Sequence, residues 1–421
     1  MSNRTAAEPR GQAGPKLERR LLLAGLVAAG SMRSSDLHAD DAPEVPPDPT
    51  KEPGRPVGTP YGSPSSFATA ARVLETTNAS ANTSWSYTPL ERIVGNVTPS
   101  GLHYERHHGG IPTIDPDRHS LVIHGLVDTP RRFTMADLKR LPIVSRCHFI
   151  ECSGNTLSEW RKPSAPSATK SHGLLSTSEW TGVAFSTLAR EVGVTHAASW
   201  AVAEGSDAAV MTRSIPLDKL MNDAILAYGQ NGEDIRPEQG FPLRLVLPGY
   251  EGNMNIKWLR RIELSDAPFM TREETSRYTD LRTNGIADQF NFVMSVKSVV
   301  TSPSGGMRLA GRGPVEISGL AWSGRGRITG VEVSTNGGAS WQPAHLDTPP
   351  EPICTVRFRL PWTWDGRPAR IQSRCTDETG MTQPTHDELV AANGVNYVYH
   401  YNAIQAWQVA SSGEVTNVAS F

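Results

Sequence analysis

The sequence predicts an α+β body followed by an immunoglobulin-like β-sandwich, and three observations carry that expectation. Helix-period and strand-period segments interleave from residue 67 to residue 287. From residue 288 to residue 421 the chain instead runs in short alternating segments broken by Asn-Gly, Asp-Gly and Ser-Gly turns. The 421 residues, 38% of them hydrophobic, suffice for two or three domains at about 100–200 residues each.

At the N-terminus, "LERRLLLAGLVAAGSM" (17–32) sets the pair Arg19-Arg20 before an apolar run too short to span a bilayer. These are the flanks of a twin-arginine export signal, expected over residues 1–39, and they place the mature protein in a bacterial periplasm. Residues 40–66 are dense in proline and acid and are expected to form an extended arm. In the body, "PDRHSLVIHGLV" (116–127) and "VSRCHFIEC" (144–152) alternate as strands, and "TMADLKRLP" opens a helix with Thr134 and Asp137 as its cap. "WTGVAFSTLAREVGV" and "SIPLDKLMNDAILAYG" have helical spacing, while "FPLRLVLPGY" is a buried strand ending at Pro248-Gly249. Beyond residue 288, "SVKSVVTSPSGG", "GPVEISGLAWSG", "ITGVEVSTNGGASWQPA", "TVRFRLPW" and "RIQSRCTDETG" supply the sandwich strands.

Charge and cysteines limit the function. With 41 basic and 43 acidic residues the formal net charge is -2, which argues against a nucleic-acid surface or a polybasic membrane patch. None of the four cysteines lies in a C-x-x-C or C-x-x-C-H spacing, so neither a c-type haem nor a Cys-pair zinc site is expected in this chain. Cys354 and Cys375 flank two alternating runs about an Asp-Gly turn, where a cross-strand disulfide competes with two unpaired structural thiols. Cys152, in "HFIECSGNTLSEW", is open to four readings: buried hydrophobe, half of a disulfide, nucleophile or metal ligand.

A family resemblance selects among those four. The "ECSGN" loop resembles the C-[SA]-G-N loop of the sulfite oxidases, in which the cysteine sulfur is a permanent ligand of molybdenum. "TPSGLHYERHHGGIPTIDPD" (98–117) is similar to the segment that supplies that family's active-site arginine and a cofactor-contacting histidine, here Arg106 and His108. "GFPLRLVLPGYEGNMNIKWL" (240–259) is similar to the stretch whose arginine and lysine hold the pterin phosphate, here Arg244 and Lys257. A gap-free count from Lys257 brings the family's catalytic tyrosine onto Tyr278, and Asp207 falls where the family has a pterin-contacting aspartate. Tyr104 and His107 share the Arg106 segment, and Trp180 matches a structural tryptophan.

The resemblance runs from about residue 90 to the end. It implies a sulfite-oxidase-type molybdopterin domain, with the sandwich serving for dimerisation. It also implies a molybdenum-molybdopterin cofactor with Cys152 as metal ligand and Arg106 and Tyr278 beside the reacting oxygens. A soft thiolate suits a redox-active metal, and guanidinium and phenol groups stabilise developing negative charge.

Departures from the family bear on the substrate. Sulfite oxidases carry an arginine five residues after the ligand cysteine, where this chain has Leu157. A second family arginine, in an "AWHR"-like segment, falls on Val409, and a cofactor histidine is replaced by Gln239. Loss of two anion-binding charges favours a less charged sulfur substrate, although Arg161 or Lys162 would restore one if the loop folds back. Of the family, the chain most resembles the molybdenum subunits of the sulfane dehydrogenases of bacterial thiosulfate oxidation. That implies oxidation of sulfane sulfur on a carrier-protein cysteine, a c-type cytochrome subunit as electron acceptor, and a homodimer of this chain within a heterotetramer. Competing readings are a periplasmic sulfite dehydrogenase, a reductase of S- or N-oxides, and a non-enzymatic binding protein with a structural Cys152.

Overall fold

A computed structural model describes residues 61–77, 80 and 83–419, so the expected export signal and most of the proline-rich arm lie outside the described residues. From Ser66 onward the chain forms one unit. Its body holds two five-stranded sheets. In the first, Glu233–Asp234, Ile225–Gln230, Leu175–Ala184 and Ile143–Glu151 lie side by side, and Arg244–Val246 also pairs with Ile225–Gln230. In the second the order is Arg131–Thr134, Ser120–Gly125, Leu259–Ser265, Trp200–Gly205 and Thr212–Pro216, with one parallel pair, Leu259–Ser265 against Ser120–Gly125. A small sheet of Val73–Leu74, Ser84–Tyr87 and Glu105–His107 covers one side of the site.

Local chemistry explains where these elements begin and end. Thr134 caps the helix Met135–Lys139 through a reciprocal box with Asp137, as its sequence predicts. The two longer helical expectations are corrected. "WTGVA" closes the strand Leu175–Ala184 and only Phe185–Val192 is helical; "SIP" ends one strand, Leu217–Asp223 is the helix, and Ile225–Gln230 is again a strand. Strand pairing decides this. Gly182 packs so tightly against the neighbouring strand that a Cβ there would stand 2.1 Å from Leu226 O.

The sandwich is built from a four-stranded sheet (Lys297–Ser302, Gly313–Trp322, Val356–Trp364, His345–Leu346) and a five-stranded one (Gln342–Pro343, Ile328–Ser334, Ala369–Asp377, Ala406–Val409, Val415–Val418). Val299, Ile317, Val331, Phe358, Ile371 and Trp407 fill the space between them. Leu90, Phe149, Ala168 and Leu175 of the body join the same core, so the sandwich packs directly on the strand that leads to Cys152. The Asp-Gly turn does not make a hairpin. Val356–Trp364 pairs along its length with Gly313–Trp322, and Ala369–Asp377 crosses to the other sheet. Cys354 and Cys375 therefore part, and all four cysteines are free thiols. Among the described residues no helix is long and apolar enough to cross a membrane.

Candidate active site

The strand Ile143–Glu151 pairs with Leu175–Ala184 in unbroken register, and Cys152 follows at its end, its N–H bonded to Leu174 O at 3.0 Å. There the chain turns back: Asn155 N–H reaches Cys152 O at 2.8 Å, and Thr156 takes a left-handed φ of 71°. The Asn155 amide locks the turn, donating to Glu151 Oε1 and His172 O and accepting from Leu174 N–H. Ser153 is held from two sides, its hydroxyl by Asn253 and its carbonyl by the His400 N–H. Gly252 must lack a side chain, because a Cβ would lie 2.7 Å from Tyr104 Oη and 2.8 Å from Glu151 O.

Beneath the loop lies a satisfied buried charge cluster. Glu151 is fully buried and accepts at Oε1 from Lys297 Nζ (2.9 Å) and at Oε2 from Trp322 Nε1 (2.6 Å). Lys297 also donates to Thr156 Oγ1 at 2.9 Å. Both partners come from the sandwich, so that domain grips the residues on either side of the Cys152 turn.

All eight sequence-predicted site residues, Cys152, Tyr278, Arg106, His108, Tyr104, Asp207, Arg244 and Lys257, line one cavity of about 450 Å³. Near Cys152, Tyr278 Oη and His108 Nε2 are 3.2 Å apart. The Tyr278 ring lies between the Arg213 guanidinium, 4.8 Å from its centroid, and the Tyr399 ring at 5.3 Å. Arg213 is itself buried between Glu251 (2.9 Å) and Glu274 (2.7 Å). Burial, reinforced by Cys152, raises the Tyr278 phenol and keeps it protonated. Burial also raises the Cys152 thiol, which a metal would have to deprotonate on binding. Arg106 donates to Thr83 Oγ1 and His107 O and lies over Trp85.

Elsewhere in the lining Arg244 is 4% exposed and donates to Gln239 O and Oε1. It has no carboxylate partner among the described residues, its Nε is buried without any partner, and burial pulls its pKa down to about 10. A buried guanidinium left in this state calls for an anion from the cavity. Lys257 is more committed, its ammonium donating to Arg106 O, His107 Nδ1 and Glu238 O at 2.9–3.0 Å. Asp207 is buried and takes the Met211 N–H on Oδ1. A thiol and a buried guanidinium with no carboxylate partner, both lining one cavity, fit a metal cofactor that carries a phosphate.

Two expectations about the mouth are corrected. Val409 lies in the sandwich core with no exposure, on the same strand face as Trp407, and is nowhere near the cavity. Arg161 and Lys162 are exposed and do not line it. Leu157 does, at 52% exposure. Sequence reasoning missed Val398 and Tyr399, which the sandwich sends across to the cavity, and also Arg277 and Trp85. The backbone N–H groups of Val398 and Tyr399 are anchored on Asp280 Oδ1. An aromatic run, "YVYHY", is the only sequence signal for that wall.

Four buried or half-buried histidines, two of them in the cavity lining, are neutral when folded. Burial lowers His108 and His103 to about 3 and His107 and His148 to about 4, with nearby cations adding to the effect. The unfolded chain takes up these protons below the ordinary histidine value of about 6.5, so stability is full above that pH and declines as pH falls towards 4. Each group contributes a slope of up to about 1.4 kcal/mol per pH unit. A clearly lower urea midpoint at pH 5.0 than at pH 7.5 is expected, and an equal or higher one would contradict the assignment.

Comparison with known proteins agrees with this geometry. Residues 108–273 match the profile of the oxidoreductase molybdopterin binding domain, and residues 288–407 that of the Mo-co oxidoreductase dimerisation domain. The crystal structure of the sulfane dehydrogenase SoxCD from Paracoccus pantotrophus is similar at 43% identity and a TM-score of 0.85, covering 89% of this chain and 99% of that one. Mitochondrial sulfite oxidase of Drosophila melanogaster is 32% identical over 59% of this chain and 47% of its own. Nitrate reductase [NAD(P)H] of Hordeum vulgare is 31% identical over 66% of this chain, which spans only 34% of that protein. Fold and site together define a molybdopterin-dependent oxidoreductase with a β-sheet dimerisation domain. The chain belongs to the sulfite-oxidase family of molybdoenzymes.

Proposed function

We propose that this chain is the molybdenum subunit of a periplasmic sulfane dehydrogenase, oxidising sulfane sulfur bound to a carrier-protein cysteine. The oxygen comes from water, and two electrons per oxygen pass to a c-type cytochrome subunit. The observation that carries this reading is the mouth of the cavity, where Leu157 and Val398, 52% and 43% exposed, belong to the same lining as Cys152. A rim of apolar side chains with a single exposed guanidinium, Arg277, among the described lining residues suits a threaded protein arm better than a small hydrated dianion, whose desolvation must be offset by several charge-assisted hydrogen bonds. Likeness to the Paracoccus sulfane dehydrogenase supports the same substrate class.

In this reading Cys152 is the thiolate ligand of molybdenum, and Arg244 neutralises the phosphate of the molybdopterin. Tyr104, His108 and Asp207 line the cofactor's bed. Lys257, with its ammonium committed to three protein acceptors, acts chiefly by fixing the Arg106–His107 backbone. When bound, the cofactor supplies a two-electron redox centre at which oxygen is transferred to sulfur. Tyr278, protonated and bonded to His108, donates a hydrogen bond where negative charge develops, and Arg106 adds fixed positive charge beside it. The mature chain is exported by the twin-arginine route and dimerises through residues 288–421.

Turnover of purified holoprotein with a c-type cytochrome and either sulfur-loaded carrier or free sulfite tests the proposal. Loaded carrier is expected to be oxidised at least about tenfold more efficiently, and Leu157→Arg is expected to move the preference towards sulfite, since one charge-assisted contact is worth about 1.5–3 kcal/mol. Equal efficiency in the wild-type protein would replace this reading with a sulfite dehydrogenase.

A further inference from the structure

The cations around the cavity differ in what already holds them. Arg106 is tied to Thr83 and His107 and stacked on Trp85, Lys170 lies over the Tyr87 ring near Glu75, and Lys257 is saturated by three acceptors. Arg244 is buried. Arg277 lines the same cavity, is exposed, and makes no side-chain hydrogen bond or ion pair with any described residue. It follows the short helix Arg272–Ser276, whose last turn delivers Arg277 and Tyr278 as consecutive residues. Its charge is near enough to act on His108 and on Tyr399, the two residues that flank Tyr278 at 3.2 Å and 5.3 Å.

We propose that Arg277 is the substrate anchor of this enzyme: an uncommitted guanidinium at the mouth that binds the anionic sulfur terminus of the substrate and holds it against Tyr278. This deepens the sulfane reading and rests on it for the identity of the substrate. A sulfane chain ends in an anionic sulfur and gains anionic oxygens as it is oxidised, while its stem is an apolar protein arm. One exposed cation in the same lining as the exposed apolar residues Leu157 and Val398 matches that division of charge. The anion site that Leu157 removes from the cysteine loop is thereby supplied from another element, beside the phenol, at a position where Arg161 and Lys162 do not reach.

The test uses holoprotein, in which the cofactor's phosphate occupies Arg244, and inorganic sulfate as an unreactive tetrahedral probe, titrated by calorimetry. Arg277→Gln is expected to weaken sulfate binding about tenfold or more, with KM for loaded carrier rising in parallel, and Arg277→Lys to recover most of the loss. Unchanged sulfate affinity in Arg277→Gln overturns the proposal, whatever the carrier result. Loss of sulfate affinity in a protein whose wild type fails to oxidise loaded carrier keeps the anchor and overturns the sulfane reading instead. An equal loss in Arg277→Gln and in a remote exposed control, Arg312→Gln, also overturns it, because the effect would then belong to net charge alone.

Discussion

Cys152→Ser is expected to give a folded protein with turnover reduced by more than the roughly hundredfold typical of losing an outer-shell ligand partner. The fold should survive because the loop is held by groups other than the sulfur. Cys152 contributes its backbone N–H and C=O to Leu174 and Asn155, and the Asn155 amide does the rest. A serine hydroxyl is smaller, harder and far less acidic, and the burial that already raises the Cys152 thiol opposes an alkoxide still more strongly. Molybdenum content, measured by elemental mass spectrometry beside turnover, separates loss of the metal from loss of its reactivity. Activity near wild type with full metal content would remove the sulfur from the chemistry and leave Cys152 as a packing residue.

What could be read from the sequence follows from how each residue acts. Six of the eight expected site residues, Cys152, Tyr104, Arg106, His108, Arg244 and Lys257, sit in or beside contiguous motifs whose local structure is dictated nearby: the strand end and turn of "ECSGN", the three-residue strand Glu105–His107, and the segment 240–259 around the strand Arg244–Val246. Tyr278 and Asp207 have no such motif and follow only from their positions relative to the others. Tyr399 and Arg277 were missed for the opposite reason. Tyr399 comes from the sandwich, more than a hundred residues from Tyr278, and only tertiary packing brings their rings together. Arg277 is an ordinary exposed arginine until the helix before it aims it at the mouth.

The errors are equally local. Val409 falls on a family arginine only through the short "AWHR"-like match, although the alternation of Trp407 and Val409 already marks one buried strand face. Trp180 and Val183, three residues apart, satisfy a helical spacing, but the pairing of Leu175–Ala184 with both neighbours makes a strand in which they face opposite sides of the sheet, each into its own apolar cluster. The Asp-Gly turn near residue 365 has hairpin chemistry, yet its two strands are claimed by different sheets. No local signal records that choice.

Glu151→Ala is expected to lower stability by about 3–5 kcal/mol, the usual consequence of stranding one member of a buried, hydrogen-bonded ion pair. The cost arises because Lys297, 1% exposed, would keep only Thr156 as an oxygen partner, while Trp322 Nε1 would lose its acceptor. Burial already lowers the Lys297 ammonium and Glu151 is the main group holding it up, so the single variant should release the lysine's proton or admit water. Because Glu151 precedes Cys152 and Lys297 belongs to the sandwich, the damage should reach the Cys152 turn as well as the melt. A fall in Tm of roughly 10 °C is expected for a domain of this size. Cofactor retention should fall with it. The double variant Glu151→Leu with Lys297→Met should recover much of the Tm, since apolar isosteres often replace a buried pair at little cost. It should not recover cofactor retention, because Asn155 and Thr156 would still lack their partners at the cysteine turn. Full recovery of both would show the pair to be a structural filler with no hold on the site, and an unchanged Tm in Glu151→Ala would show that the sandwich does not grip the loop through this cluster at all.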